Sequence, residues 1–455
     1  MANVLPRPSI ASLWSRLLRR PQALLLATFV ALILAGTIAL RLPAAHQQEP
    51  VRLLDALFTA TSAVCVTGLI TVDTGTAYSR FGQIVILILI QLGALGLMTF
   101  AALAAEVVRV RLSLSSQAAV HDAFFQRQTR ISLRTAALRI ITLTFLLEGL
   151  GALLLRSSLP ATDAFEAVFL AVSAFCNAGF SLYADSLSSL RNSLPLMGTV
   201  MALITLGGLG YPVLLELLSR GWARLRRRPS RFVKFSLHTR VVLWSSLFLT
   251  AGGALTLLPA SWTHLGDSAG ERLLQGLFQS VTARTAGFHT VEIAALPLAA
   301  LLIFVPLMLV GGSPGSCAGG VKTVTATVWL TRLTARLRGR ESTSILGRRL
   351  PFDLLQRASL VITLAVMWNV VGVMILALSE GGAGTPLENL MFEQVSAFGT
   401  VGLSTGLTPS LSAVGKIWII LTMLVGRVGP LTMALAVVSQ PRQHYEFPVE
   451  RVMIG

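Results

Sequence analysis

Phe58-Thr59-Ala60-Thr61-Ser62-Ala63-Val64-Cys65-Val66-Thr67-Gly68-Leu69 is a short run of apolar and hydroxyl-bearing residues that ends at a glycine. It is too short to cross a bilayer. A membrane-spanning helix needs about 20 residues, and segments of about 10–14 suit re-entrant elements better. The same pattern returns three times: Phe169-Leu-Ala-Val-Ser-Ala-Phe-Cys176-Asn-Ala-Gly179-Phe180, Phe278-Gln-Ser-Val-Thr-Ala-Arg284-Thr-Ala-Gly287-Phe288 and Phe392-Glu-Gln-Val-Ser-Ala-Phe-Gly399-Thr-Val-Gly402-Leu403. The four glycines follow one another at intervals of 111, 108 and 115 residues. A serine stands six positions before three of them (Ser62, Ser173, Ser396); the third copy is one residue shorter from its phenylalanine and carries Val281 there.

Longer apolar runs flank each copy. They predict eight spans near 22–41, 81–107, 136–155, 194–218, 240–258, 295–330, 356–379 and 413–439, with short semi-apolar stretches at 54–66, 164–176, 273–284 and 388–399 between the pairs. A second glycine pair recurs in the span after each copy: Gly93 and Gly96, Gly207 and Gly210, Gly312 and Gly315, Gly426 and Gly429. Its first member lies 25, 28, 25 and 24 positions past the loop glycine. Each unit crosses twice and returns to the same side, so all four share one orientation about an axis along the membrane normal. The expected fold is an all-α polytopic membrane protein of four tandem span–pore helix–filter loop–span repeats around a pseudo-fourfold central pore. The units divide as 22–112, 113–220, 221–340 and 341–440, between an N-terminal segment 1–21 and a tail 441–455.

Composition agrees. Of the 455 residues 54% are hydrophobic and 13% charged, against about 25% charged in soluble domains; mean hydropathy is +0.73. The formal charge of +17 sits in clusters between spans: Arg109, Arg111, Arg127, Arg130 and Arg134; Arg220, Arg224, Arg226, Arg227, Arg228, Arg231 and Lys234; Arg332, Arg336, Arg338, Arg340, Arg348, Arg349 and Arg357. That is the positive-inside pattern, which makes both termini cytoplasmic, and not the groove-tracking patch of a nucleic-acid binder. The clusters set topology or, in addition, dock a cytoplasmic partner. The first apolar run follows Arg16, Arg19 and Arg20 and is read as a span rather than a cleaved signal, because of its length and the spans behind it. Cys65, Cys176 and Cys317 give neither a disulfide framework nor zinc spacing.

Non-helical backbone at membrane depth leaves carbonyls that lipid cannot satisfy, so they must face protein or a watery cavity. Four such loops around one axis present rings of main-chain oxygens able to replace the hydration shell of K⁺, and the C-terminal ends of the short helices add a field that favours a cation. Asp55 and Glu166, each 13 positions before its glycine, read as helix-start charges or as a cation-attracting mouth. The sixth span is broken by Gly311-Gly312-Ser313-Pro314-Gly315-Ser316-Cys317-Ala318-Gly319-Gly320-Val321-Lys322, too rich in glycine and proline to continue as a helix. Arg427 in the last span and Glu148 in the third are intramembrane charges, functional by default; Arg427 has Glu393 or loop carbonyls as candidate partners. Inverted repeats or a midplane carboxylate chain would indicate an alternating-access carrier, and paired catalytic groups an enzyme. The sequence has none of these.

The fourfold repeat of span, pore helix, glycine loop and span resembles the Trk/Ktr/HKT superfamily of potassium transporters over nearly the whole chain. Eight spans without an extra N-terminal pair, and the ending Val449-Glu-Arg-Val-Met-Ile-Gly455, look like the Ktr-type membrane subunit. The resemblance implies a K⁺ uptake pore in the plasma (inner) membrane, with or without Na⁺ stimulation or symport, and with no organic cofactor in this chain. It implies a filter of Val66, Thr67 and Gly68, Asn177, Ala178 and Gly179, Thr285, Ala286 and Gly287, and Thr400, Val401 and Gly402. Members with serine at the first glycine tend to carry Na⁺, so Gly68 points to K⁺. Residues Gly311 to Gly320 with Lys322 correspond to the family's intramembrane gating loop, and Arg427 to the charge that holds it. The implied assembly is a homodimer on a cytoplasmic RCK-type ring of nucleotide-binding regulatory subunits; this chain has no phosphate-binding glycine motif of its own.

Overall fold

The computed structural model describes residues 21–47, 49–96, 133–158, 163–225 and 235–437, and these are mostly helical. The N-terminal segment before 21, the end of the second expected span with Arg109, Arg111, Arg127 and Arg130, the cluster at 226–234 and the tail 441–455 lie outside the described residues.

The chain runs through α1 (Pro21–Leu40), α2 (Leu53–Val64), α3 (Arg80–Leu95), α4 (Leu133–Ser158), α5 (Ala164–Phe175), α6 (Leu194–Leu209), α7 (Tyr211–Leu225) and α8 (Leu237–Ala260). It continues through α9 (Ala269–Thr282), α10 (Leu298–Leu309), α11 (Thr323–Leu337), α12 (Phe352–Glu380), α13 (Leu387–Gly399), α14 (Ala413–Val428) and α15 (Pro430–Val437). A small antiparallel hairpin, Ser344–Ile345 with Arg348–Arg349, joins α11 to α12. Among the described residues four helices are long and apolar enough to cross a membrane: Ala23–Leu40, Ala137–Ser158, Leu237–Ala260 and Phe352–Glu380. Their outward side chains are large and apolar, with Phe248 76% and Leu378 86% exposed. Such a surface suits lipid rather than water.

Besides the sixth, which is interrupted between Leu309 and Thr323 as expected, two further expected spans are not continuous. The run 194–218 breaks at Gly210, where α6 and α7 meet at 107°, and 413–439 breaks at Gly429 before Pro430. Both glycines take left-handed backbone, φ +85° and +93°, which an L side chain resists. Hydropathy is blind to such a bend because the residues on either side stay apolar. The short stretches form α2, α5, α9 and α13. Helix α9 starts earlier than expected because Ser268 caps it, accepting from the Glu271 amide, while the Glu271 carboxylate accepts from the Asp267 amide. That is a close relative of the capping box.

Each short helix packs against the long helix before it: α2 on α1, α5 on α4, α9 on α8 and α13 on α12. Each also packs on a helix from the preceding stretch of chain: α5 on α3, α9 on α6, α13 on α10 and, closing the circle, α2 on α14. Three of the short helices also meet the helix that follows them, α2 with α3, α5 with α6 and α13 with α14, and there the downstream glycines allow the close approach. A Cβ on Gly93 would lie 2.0 Å from the Val64 carbonyl oxygen, one on Gly207 1.8 Å from that of Phe175, and one on Gly426 1.9 Å from that of Phe398. All three oxygens belong to the residue four before a loop glycine. Gly312 differs and packs against Ala318, Ser316 and Gly208, because its helix has already given way to the loop.

Gly207→Ala therefore forces the end of α5 away and should lower stability by about 1–3 kcal/mol, the usual cost of overpacking. Gly198→Ala, in the same helix with no atom near its Cβ position, should be neutral or stabilising by up to about 1 kcal/mol. Melting of the two detergent-purified variants checks this; equal melting points would remove the packing argument.

Candidate cation site

The loops that follow α2, α5, α9 and α13 meet at one point. A Cβ on Gly68 would stand 2.5 Å from the Ala178 carbonyl oxygen and 2.9 Å from the Gly179 Cα. On Gly179 it would meet the Ala286 oxygen at 2.9 Å and the Gly287 Cα at 3.0 Å. On Gly287 it would meet the Val401 oxygen at 2.4 Å and the Gly402 Cα at 3.2 Å. On Gly402 it would meet the Thr67 oxygen at 2.2 Å and the Gly68 Cα at 3.1 Å, so the cycle closes. Four glycines and the carbonyls of Thr67, Ala178, Ala286 and Val401 thus occupy one junction with no room for a side chain.

The backbone is unusual at the same places. Val66, Asn177, Thr285 and Thr400, each two residues before its glycine, have φ between +50° and +67°. They are four of the six non-glycine residues with positive φ in the described chain, and for β-branched Val66, Thr285 and Thr400 such angles are true outliers. Alternating left-handed with ordinary residues turns successive carbonyls the same way instead of to opposite sides as in a strand. Strain of this kind, about 1–3 kcal/mol per residue, persists where the surroundings enforce it and clusters at functional sites.

The enforcing contacts are visible. Ser62 and Ser396 hydroxyls accept from the amides of Gly68 and Gly402 at 3.0 and 3.2 Å. Ser173 and Thr282 hydroxyls donate to the carbonyls of Phe180 and Phe288 at 2.7 and 2.6 Å. The third hydroxyl is Thr282, not the residue six before the glycine. Counted from the phenylalanine, Thr282 falls in register with the three serines, and the missing residue lies after it. With its amide nitrogen as donor, Asn177 reaches the carbonyls of Phe175 and Ile204, both at 3.2 Å, so this side chain braces the backbone. The buried hydroxyls of Thr67, Thr285 and Thr400 have no partner among the described residues.

On one side the junction opens into a cavity of about 320 Å³ lined by all four glycines with Asp73, Tyr183, His289 and Glu292 among others. Burial holds the His289 imidazole below its ordinary range, against the pull of Asp185 and Glu292. The mouth is thus left with carboxylates and a neutral ring. Among the described residues no group of three His, Cys, Asp or Glu side chains could hold a metal ion.

On the other side lies loop 310–322, its neck closed by pairing of Val310 with Val321. Its amides donate to glycine carbonyls of neighbouring helices: Ser313 N–H to Gly208 at 3.0 Å, Cys317 N–H to Gly207 at 3.3 Å and Gly320 N–H to Gly426 at 3.2 Å. The Tyr211 amide donates to the Gly315 carbonyl at 3.0 Å. Arg427 is 2% exposed; it donates to the carbonyl of Cys317 and at 2.9 Å to that of Gly93. The candidates Gly311 to Gly320 are thus gathered with Arg427 beneath the glycine junction.

Of the two candidate partners of Arg427, the loop carbonyl is the one found. Glu393 does not meet Arg427: its carboxylate accepts from the Ser404 hydroxyl, the Thr405 amide at 3.0 Å and the Thr408 hydroxyl at 2.7 Å, all in its own loop. Lys322 donates to the Ala318 carbonyl. Glu148 has a partner, accepting from Gln91 at 2.7 Å with the Cys176 thiol at 3.5 Å. Asp55 and Glu166 stand in the first turns of α2 and α5, as expected of helix-start charges; Asp55 also pairs with Lys416 of α14 at 2.8 Å, and Glu166 accepts from the Tyr183 hydroxyl at 3.1 Å.

Helices with a lipid-facing exterior around a junction of main-chain oxygens are the architecture of a cation-transporting membrane protein. A family model described as TrkH, cation transport protein, matches residues 12–446, and the chain belongs to that family. It is 34% identical to the Ktr system potassium uptake protein B of Bacillus subtilis, over 96% of each chain. It is 35% identical to the potassium/sodium uptake protein NtpJ of Enterococcus hirae, over 96% of this chain and 97% of that one. The crystal structure of the potassium transporter TrkH from Vibrio parahaemolyticus shares the fold with a TM-score of 0.73 at 18% identity, covering 92% of this chain and 85% of that one. The chain is an integral membrane transporter of the Trk/Ktr type and not an enzyme.

Lys416 and Asp55 tie α14 to α2 where the circle of helices closes, and their side chains are 14% and 11% exposed. Lys416→Met alone leaves Asp55 unpaired and should cost up to about 3–5 kcal/mol. The double change Lys416→Met with Asp55→Leu should cost less than the single one. A melting-point cycle reads this, and simple additivity would mean the pair holds nothing together.

Proposed function

We propose that this chain is the ion-translocating membrane subunit of a potassium uptake system. K⁺ passes through the junction of Gly68, Gly179, Gly287 and Gly402, coordinated by carbonyls of the residues Val66 to Gly68, Asn177 to Gly179, Thr285 to Gly287 and Thr400 to Gly402. The observation that carries this is the closed glycine cycle. Its crowded main-chain oxygens and left-handed backbone leave an ion as the natural partner of the carbonyls and of the unpartnered threonine hydroxyls. The relatives named for potassium uptake support K⁺; one named for potassium and sodium keeps Na⁺ dependence open.

The reading extends to four like-oriented repeats, 22–112, 113–220, 221–340 and 341–440, eight crossings and cytoplasmic termini in the plasma membrane. The circular packing of the short helices supports the fourfold arrangement. Loop 311–322 is the gate. Arg427 is its latch: a tethered cation on carbonyls below the pore competes with the permeant ion for the same path. The gate answers to a cytoplasmic ring of nucleotide-binding subunits, and two copies of this chain stand on it. The word "system" in the names of relatives supports a multicomponent assembly.

The basic test is K⁺-limited growth of an uptake-deficient bacterium carrying the full chain, with and without a regulatory subunit; absence of rescue in both would sink the function. Gly68→Ser puts a side chain 2.5 Å from the Ala178 oxygen at φ +91°, and should reduce K⁺ over Na⁺ preference by on the order of tenfold, about 1.4 kcal/mol. Uptake of both ions, each against the other, measures it. Arg427→Ala frees the carbonyls of Cys317 and Gly93 and should raise the rate per molecule in the membrane. An unchanged rate at normal abundance would take the latch role from Arg427.

A further inference from the structure

We propose that Arg284 is a positioning residue. It ties the third pore loop to α8 and so keeps Gly287 in the junction while loop 310–322 shifts beneath it. This rests on the K⁺ reading above.

The third loop is built differently from the other three. Its Ala286 amide bonds to the Thr282 carbonyl four residues back, whereas Thr67, Ala178 and Val401 reach five residues back to Ser62, Ser173 and Ser396. The other loops are backed by a downstream glycine pressed on the carbonyl of Val64, Phe175 or Phe398. Among the described residues nothing equivalent backs the third, because its downstream helix ends at Leu309 and Gly311 and Gly312 belong to loop 310–322. That loop instead bears on the junction directly. A Cβ at Gly311 would meet the Thr285 methyl at 3.0 Å, and one at Gly319 the Thr400 hydroxyl at 2.2 Å. A moving loop therefore pushes on left-handed residues two positions from Gly287 and Gly402.

Arg284 precedes Thr285 and reaches the other way. Its guanidinium donates to the Ser246 carbonyl at 3.3 Å, the Ser246 hydroxyl at 3.2 Å and the Thr250 hydroxyl at 3.2 Å. The Ser280 hydroxyl adds a bond of 2.7 Å to the Thr250 carbonyl. Both acceptor residues lie midway along α8, one of the long membrane-crossing helices. Arg284 is 9% exposed and forms no ion pair with a carboxylate among the described residues. Counted from the phenylalanine, the other copies carry Val64, Phe175 and Phe398 here, which cost nothing to bury. A charge buried without a counter-ion is a net cost in lipid. What it gains here is a three-point attachment, and a cation two residues past the end of α9 complements that helix end.

The test uses the detergent-purified full-length chain, titrated calorimetrically with KCl and with NaCl, alongside rubidium uptake in cells normalised to protein in the membrane. Arg284→Met should lower the ratio of K⁺ to Na⁺ affinity by on the order of tenfold, the factor one lost charged hydrogen bond is worth. Arg284→Lys should recover part of it. If Arg284→Met fails to accumulate, the pair Ser246→Ala with Thr250→Val removes the side-chain acceptors and should move the ratio the same way by a smaller factor. A wild-type ratio in Arg284→Met, or in the Ser246/Thr250 pair when only that accumulates, overturns the positioning role. A wild-type protein that binds neither ion overturns the K⁺ reading itself.

Discussion

Four backbones can meet at a point only if none of them carries a side chain there. That steric constraint, expressed at Gly68, Gly179, Gly287 and Gly402, organises the rest of the molecule. Carbonyl oxygens crowd toward one another at the junction, which is unfavourable unless a cation or its hydration lies between them. The left-handed residues two positions earlier add strain to that repulsion. The short helices, their hydroxyl braces and the close-packed glycines of the following helices supply the stiffness that keeps the arrangement from relaxing.

The same economy of side chains governs the region beneath. Gly93, Gly207, Gly208 and Gly426 bring helices so close to the junction that their carbonyls are the available acceptors at that depth. Loop 310–322 and Arg427 use these acceptors. One set of small residues thus lets the helices approach and also exposes the oxygens that hold the loop. These are mostly single hydrogen bonds, each worth about 0.5–1.5 kcal/mol net, so the loop is held by a modest sum that a partner's binding energy could outweigh.

Much of this was legible in the sequence because glycine leaves a trace that spacing reveals. Four copies at intervals near 110 residues, each with a second glycine some 25 residues on, pointed to the glycines that meet at the junction, while the position of loop 311–322 came only from the family resemblance. What stayed hidden depended on register or distance. Thr282 was missed because the third copy was aligned from its glycine, and the deletion lies between the two. The bends at Gly210 and Gly429 leave hydropathy unchanged. Asp55 and Lys416 are 361 positions apart, and only closure of the circle brings them together. Glu393 and Arg427 are 34 positions apart and opposite in charge, yet each bonds to neutral groups that composition does not rank.

Charge completes the balance at the junction. Helix ends contribute partial negative charge from four directions, and the carbonyls add more. If nothing opposed this field, a cation would enter readily and leave slowly, and conduction requires binding weak enough for release. The cations near the junction are placed to oppose it at different points: Arg284, buried at the end of α9, and buried Arg427 with half-buried Lys322 below. None forms a salt bridge with a carboxylate among the described residues; each is held by carbonyl or hydroxyl oxygens. Neutral acceptors leave the positive charge unquenched, whereas a carboxylate partner would cancel it. On the proposed reading, buried arginine without a counter-ion is what a carbonyl-lined ion path needs in order to release its cargo.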